Sequence, residues 1–348
     1  MRACLSSPLQ WEQFRIGSKM VSMASLFQPA IRRRSRTRCK CCLTIHSFRS
    51  EWALPAAGRQ TGSALSVLRR LRSTVTNPYY KMQGQLKSAE LPAPYPKITV
   101  VTLSFDQARF LEATLLSIRA QEYPNLEHVV IDGGSTDGSV PILERYASDF
   151  SYWVSEPDGG ITPGLIKGFS KATGDIWCWV NSDDLLEPGT LHEVAAFFSD
   201  NAAARVVYGD ATWIDVEGNA IKPKKEHKFS RFILDYDHNF IPQPSTFWRR
   251  DLYEQVGGLD PDFQLAMDGD LWARFADVTP LHHVPRLWSR VRSYPEQATQ
   301  RLHRQCLQEA DKIRRRHRGD ELAWAVRAKF ALAKSSRVVR KVAGGCYW

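Results

Sequence analysis

The feature that most constrains the fold is an alternation between residues 96 and 200, where short β-branched apolar runs are each followed by apolar residues at helical spacing. Ile98-Thr-Val-Val-Thr-Leu103 has the length of a buried strand, and Phe110, Leu111, Leu115 and Ile118 then fall on one helix face. Asp106 is placed to cap that helix, and Pro124 and Asn125 to end it. Residues 126–131 read as a second strand and 140–146 as a second helix; strands at 152–154 and 176–180 flank a helix at 162–173 that stops at Gly174. Strand and helix in alternation predict an α/β fold with a doubly wound, mostly parallel central sheet and helices on both faces. In such a sheet ligands lie beyond the carboxyl ends of the strands. Past Pro188 the pattern gives a helix to about Phe198, extended pieces at 205–208, 212–215 and 245–248, a helix at 251–255 and an amphipathic stretch at 269–276.

Charge divides the chain of 348 residues into three parts. The overall excess of +10 is made of +13 in residues 1–95, −12 in 96–300 and +9 in 301–348. A basic chain invites nucleic acid as partner, yet the part that alternates strand and helix is acidic and would repel a polyanion. The expected organisation is a basic leader at 1–95, a folded domain at 96–300 and a basic amphipathic helical segment at 301–348. The leader, with Arg32, Arg33, Arg34, Arg36 and Arg38, reads as a solvated tail, as sequence upstream of a start at Met82, as an organelle transit peptide, or as a nucleic-acid arm. Cys39, Cys41, Cys42 and His46 lack a second pair at zinc-ligand spacing, so no metal is assigned there. Of seven cysteines only Cys178 lies in the acidic part, which excludes an internal disulfide and points to a reduced, cytoplasmic setting. No apolar run approaches the roughly 18 residues of a spanning helix. The last segment, with apolar Ile313, Leu322, Val326, Phe330 and Leu332, either lies peripherally on an anionic membrane surface or packs on the domain with a solvated basic face.

Of three acidic constellations, two fall where the strand-end rule places a ligand and the third opens a helix. The loop Asp132-Gly-Gly-Ser-Thr-Asp-Gly-Ser139 follows the second strand; its glycines let backbone amides approach a ligand, while Asp132, Ser135 and Asp137 supply acceptors and donors suited to a nucleoside. The alternative is a turn that caps the next helix. No P-loop and no Gly-x-Gly-x-x-Gly fingerprint occurs. Asp183 and Asp184 follow the apolar strand ending at Val180. Two neighbouring carboxylates repel, and a hard divalent ion, Mg²⁺ or Mn²⁺, would hold them together with phosphates and water; a helix cap is the alternative. The third, Met267-Asp-Gly-Asp270, opens a helix. Its carboxylates either complement the helix dipole or supply a general base.

Taken as a set, Val100-Val-Thr-Leu-Ser-Phe-Asp106, Ile131-Asp-Gly-Gly-Ser-Thr-Asp-Gly-Ser139, Trp153-Val-Ser-Glu-Pro-Asp-Gly-Gly160, Lys167-Gly-Phe, Asn181-Ser-Asp-Asp184, Gln243-Pro-Ser-Thr-Phe-Trp248 and Met267-Asp-Gly-Asp-Leu-Trp272 resemble a family 2 glycosyltransferase over about residues 96–295. The resemblance implies a nucleotide-diphospho-sugar transferase fold of the GT-A type, a nucleotide-sugar donor such as a UDP-sugar, and a hydroxyl acceptor on a glycan, polysaccharide or lipid-linked carrier of the cell envelope. It implies an inverting reaction. By position, Asp132 would contact the base, Thr102 and Ser104 would line its pocket, and Asp158 and Lys167 would border the nucleotide. Asp183 and Asp184 would form the metal motif, with Asp184 the direct ligand, and Asp268 would be the catalytic base. Phe105-Asp106 stands where the family usually has Tyr-Asn, and Met267 where an acidic residue is common. The competing reading is a nucleic-acid-binding or scaffold protein that works through its basic ends. His282 and His283 alternate along a strand and cannot share a metal, and most tryptophans read as core.

Overall fold

Burial of the first strand organises the rest. In the computed structural model, which describes residues 95–346, β1 (Ile98–Ser104) is buried along its whole length because both faces are covered by helices. The leader, its arginine run, the cysteines at 39–42 and the start at Met82 lie outside the described residues.

Around β1 the alternation read from the sequence is realised. In order come α1 (Ala108–Arg119), β2 (Leu126–Asp132), α2 (Ser139–Arg145), β3 (Tyr152–Ser155), α3 (Ile161–Lys171) and β4 (Ile176–Asn181). Then follow β5 (Leu185–Leu186), α4 (Thr190–Asp200), β6 (Val206–Ile214), β7 (Ala220–Lys224), α5 (Arg231–Tyr236), β8 (Thr246–Arg249) and α6 (Arg250–Gln255). The chain finishes with α7 (Met267–Val278), β9 (His282–Arg292), α8 (Ala298–Arg301), α9 (His303–Arg318) and α10 (Ala323–Ala343). One nine-stranded sheet has the order β3-β2-β1-β4-β8-β6-β9-β5, with β7 on the side of β6. The half from β3 to β4 is parallel; β8 enters antiparallel to both β4 and β6, and β9 runs parallel to β6. The sheet is therefore mixed and mostly parallel.

Several local expectations are corrected. Asp106 does not cap α1. Its backbone is left-handed (φ 48°) and its carboxylate accepts from the Thr136 N–H, while Asp137, reaching across from the next loop, accepts from Ala108 at the start of the helix. Gly174 is not a helix cap, since α3 ends at Lys171; a Cβ there would lie 2.5 Å from Thr99 Oγ1, so glycine lets this turn press against β1. The two extended pieces at 205–208 and 212–215 are one strand, β6. Gly209, which looks like a break, leaves room for the Trp288 ring of β9, 2.6 Å from where a Cβ would sit. The C-terminal segment is two helices, parted at residues 319–322.

The core sits between sheet and helices. Trp179, Trp248 and Trp272 are fully buried, and Trp272 of α7 stacks on Trp179 of β4 at 5.8 Å. Burying such rings contributes on the order of 3 kcal/mol each, and here it also fixes how α7 lies against the strand that leads to Asp183. His282 and His283 point apart: His282 packs by Phe197, and His283 meets Asp210 at 2.9 Å.

Candidate active site

Register alone brings the first group of residues together. Pairing sets Ser104 opposite Asp132, Asp132 opposite Ser155, and Leu103 opposite Asn181, so the carboxyl ends of β1 to β4 form one row. Ser104 is buried, and its hydroxyl has no hydrogen-bond partner among the described residues. A buried polar atom left open at a strand end is what a ligand-accepting position looks like. Thr102 sits further back in β1, buried, with its hydroxyl 3.0 Å from His128 Nε2.

The loop after β2 is held by its own carboxylates. Asp132 is fully buried and accepts from the Ser135 N–H (2.8 Å), the Ser135 hydroxyl (2.6 Å) and the Ser155 hydroxyl (2.7 Å). Ser135 Oγ in turn accepts from the Asp106 N–H, and Asp137 gathers Ala108 and Ser139 at the starts of α1 and α2. Asp158 accepts from the Gly160 N–H, and its carboxylate is nested against Gly133 and Gly164. A Cβ on Gly164 would stand 2.4 Å from Asp158 Oδ2. Lys167, on α3, is ion-paired with Glu156. The structure thus gathers Ser104, Asp132, Ser135, Asp158 and Lys167 around the ends of β1 to β3, with Asp137 tying the loop to both neighbouring helices.

The acid pair follows β4. Asp183 and Asp184 are both buried. Asp183 Oδ2 accepts from the Tyr294 hydroxyl at 3.0 Å and the Gln297 amide at 3.4 Å; Asp184 Oδ1 accepts from the Arg292 N–H at 2.9 Å. Burial raises both carboxyls above the ordinary range, and for Asp184 the neighbouring Asp183 charge raises it further, against the pull of Arg292. Arg292 braces the pair by donating to the Asp183 carbonyl and to the carbonyls of Asp215 and Val216. Two desolvated, mutually repelling carboxylates fit a divalent cation. Among the described residues no group of three or more His, Cys, Asp or Glu is arranged to hold a metal ion. An ion held by Asp183 and Asp184 would take its remaining positions from phosphate and water, as Mg²⁺ and Mn²⁺ accept.

The two carboxylates of α7 part company. Asp270 is fully buried and paired with Arg274 (2.7 Å) and Arg316 (3.2 Å), a structural arrangement. Asp268 lies one turn before Trp272 on the same helix face and is half-buried. Its Oδ2 accepts from the Asn239 amide at 2.8 Å, and burial raises its carboxyl to about 6 although the Gly269 N–H and Asn239 oppose this. A carboxylate near 6 is well matched to proton abstraction at neutral pH. The loop that carries Asn239 continues to Gln243, which donates to the Trp179 carbonyl and meets the Asn181 amide at 3.4 Å. One short path of contacts therefore links Asp268 to the strand end beside the acid pair.

Sequence reasoning missed the supports: Asn239, Arg292, Tyr294, Gln297 and Glu309. Tyr294 and Gln297 directly follow β9, so the strand-end rule that found Asp132 would have found them had β9 been traced. Glu309 had no signal, because it lies in a helix assigned to a separate segment. Its Oε2 accepts from the N–H groups of Gln264 (3.0 Å), Leu265 (2.8 Å) and Ala266 (3.0 Å), the residues that lead into α7. Glu309→Gln should replace a charged acceptor with a neutral one that still packs. The expected result is a lower Tm and a kcat reduced more than KM, measured by thermal melting and steady-state kinetics; equal changes in kcat and KM would count against a role in placing Asp268.

The mixed, mostly parallel sheet, with its strand ends in one row, is that of a GT-A type α/β fold. The comparisons place the chain further. The glycosyl transferase family 2 model matches residues 99–257. An uncharacterized glycosyltransferase of Mycobacterium tuberculosis (strain CDC 1551 / Oshkosh) is 30% identical over 185 residues, 53% of this chain and 70% of that protein. The O-antigen biosynthesis protein RfbC of Myxococcus xanthus is 28% identical over 205 residues, 54% of this chain but 16% of that protein. Among solved structures, S. aureus TarS superposes with a TM-score of 0.51 at 19% identity over 68% of this chain and 43% of TarS. S. aureus TarS 1-349 in complex with UDP gives 0.50 at 18%, over 68% and 70%. This chain belongs to glycosyl transferase family 2, and it is a glycosyltransferase.

Proposed function

We propose that the protein transfers a sugar from a nucleoside diphosphate donor, a UDP-sugar, to a hydroxyl of a glycan or lipid-linked acceptor, with inversion at the anomeric carbon. What supports this reading is a carboxyl that burial raises to about 6, Asp268, on a helix stacked against the strand that leads to the acid pair. The nucleoside would lie across the ends of β1 to β3, against Thr102, Ser104 and the loop from Asp132 through Ser135 to Asp137, bordered by Asp158 and Lys167. Asp183 and Asp184 would hold Mn²⁺ or Mg²⁺, with Asp184 as the direct ligand. Such an ion, when bound, supplies positive charge to the diphosphate. Asp268 would take the proton from the acceptor hydroxyl, whose oxygen forms the new bond to the anomeric carbon as the bond to the diphosphate oxygen breaks on the opposite face. One carboxylate suffices for this displacement, and no covalent enzyme intermediate forms. The closed core around Trp179 and Trp272 keeps Asp268 in register with the strand ends.

A thermal-shift panel of UDP and GDP sugars, each with and without Mn²⁺, tests the donor side, because a ligand that binds only the folded state raises its melting temperature. A shift of several degrees with a UDP-sugar that needs Mn²⁺ is the expected result. A panel without any nucleotide-dependent shift would refute the reading.

A further inference from the structure

The last helix is mounted with its polar side inward. On α10 the residues that face the domain are Lys329, Ala333, Arg337 and Lys341, one stripe at helical spacing. Lys329 pairs with Glu321 at 2.6 Å, Arg337 with Asp237 at 2.6 Å and Lys341 with Glu226 at 2.9 Å, while Ala333 is fully buried between them. The opposite face is apolar and open. Trp324 is 71% exposed, Leu332 63%, Val339 66% and Val342 54%, with Val338 and two alanines filling the stripe. A surface helix of a globular protein normally shows the reverse arrangement.

Charge says what this face meets. Residues 323–343 contain six Lys or Arg and no Asp or Glu. Three of the six, Lys329, Arg337 and Lys341, are paired inward; a second copy docking by the outer face would still set Arg327 and Lys334 against cations with no acid on either helix, and the leader, at +13, is no better a match. Arg327 and Lys334, seven residues apart, lie along one edge of the apolar stripe, are exposed, and make no hydrogen bond or ion pair among the described residues. The groove of about 580 Å³ between α9 and α10 is mixed in charge, lined by Arg314, Arg318 and Arg327 but also by Asp311, Asp320 and Glu321, so it is the outer face and not the groove that matters here. An apolar stripe edged by cations is the pattern of a helix lying in the plane of an anionic membrane. No helix among the described residues is long and apolar enough to cross one.

We infer that the outer face of α10 docks the protein on an anionic lipid surface, with Trp324, Leu332, Val339 and Val342 entering the interface and Arg327 and Lys334 meeting headgroups. The inference goes beyond the transferase reading and needs no donor to test. The full chain is floated with vesicles of phosphatidylcholine alone or with one-third phosphatidylglycerol. Binding to the anionic vesicles and not to the neutral ones is expected. Val339→Glu with Val342→Glu, at exposed sites where glutamate suits a helix better than valine, should cut the partition coefficient at least about tenfold. Arg327→Gln and Lys334→Gln should each cut it about fivefold. Melting temperature and nucleotide-dependent shift, measured on the same preparations, should be unchanged, which separates lost docking from lost folding. Equal binding by the double glutamate variant and the parent would overturn the inference. So would binding that vanishes when Arg32, Arg33, Arg34, Arg36 and Arg38 are changed to Gln, or a dimer that the glutamates dissociate without any lipid binding.

Discussion

Asp268→Asn is expected to lower kcat by about two to four orders of magnitude, the usual contribution of a positioned general base, while donor binding read by thermal shift stays intact. The substitution keeps the shape of the side chain and an oxygen for the Asn239 amide to donate to, so a loss of this size would come from the missing proton acceptor. The pH profile gives the sign. Burial holds the Asp268 carboxyl at about 6, and only the ionised form accepts a proton. Activity should therefore fall as pH drops through about 6 and level off above it. Asn239→Ala removes a donor that favours the ionised form, so the carboxyl rises and the acidic limb moves to higher pH, with most of the plateau rate retained. A kcat for Asp268→Asn within tenfold of the parent, or an acidic limb that Asn239→Ala leaves in place, would remove Asp268 from the mechanism.

The second large effect concerns Asp184, where function and stability should pull in opposite directions. Its carboxylate is buried beside that of Asp183, and both burial and like charge disfavour its ionised form. Asp184→Asn removes that repulsion while keeping an oxygen to accept the Arg292 N–H. Without metal the variant should be more stable, by about 1–2 kcal/mol or a few degrees in Tm. At the same time the Mn²⁺-dependent part of the nucleotide-induced shift and the transferase activity should disappear. Such a trade is expected where a site keeps strain for function. A variant that melts lower than the parent and still responds to Mn²⁺ would show Asp184 to be a structural acid.

How far these residues were legible in the sequence depended on whether a local rule governs them. The parallel half of the sheet was readable because β1, β2 and β4 are continuous apolar runs, as strands buried on both faces must be, and because the acids that follow them stand at strand ends. Spacing and composition did not separate Asp268 from Asp270, since both open the same helix, and only the family resemblance pointed to Asp268; in the structure what divides them is tertiary, Arg274 and Arg316 on Asp270 and Asn239 on Asp268. The continuity of β6 was hidden because Gly209 mimics a break, and its reason, the ring of Trp288, lies 79 residues away in the chain. The basic C-terminal end misled in a different manner. Much of the positive charge of α9 and α10 points inward to Asp260, Asp270, Asp237 and Glu226, so a net charge counted along the sequence overstated what a polyanion would meet.

The three amides held by Glu309 lie 43 to 45 residues before it, and this sets an order of assembly. During synthesis the strand ends of β1 to β4 and the acid pair can be in place before α9 has emerged, whereas the lead into α7 waits for a carboxylate made later. A chain interrupted between Asp268 and Glu309 would carry the parallel half complete and the lead into α7 unfixed. The capacity to bind would thus mature ahead of the capacity to react, and the docking of α9 would be the event that separates the two.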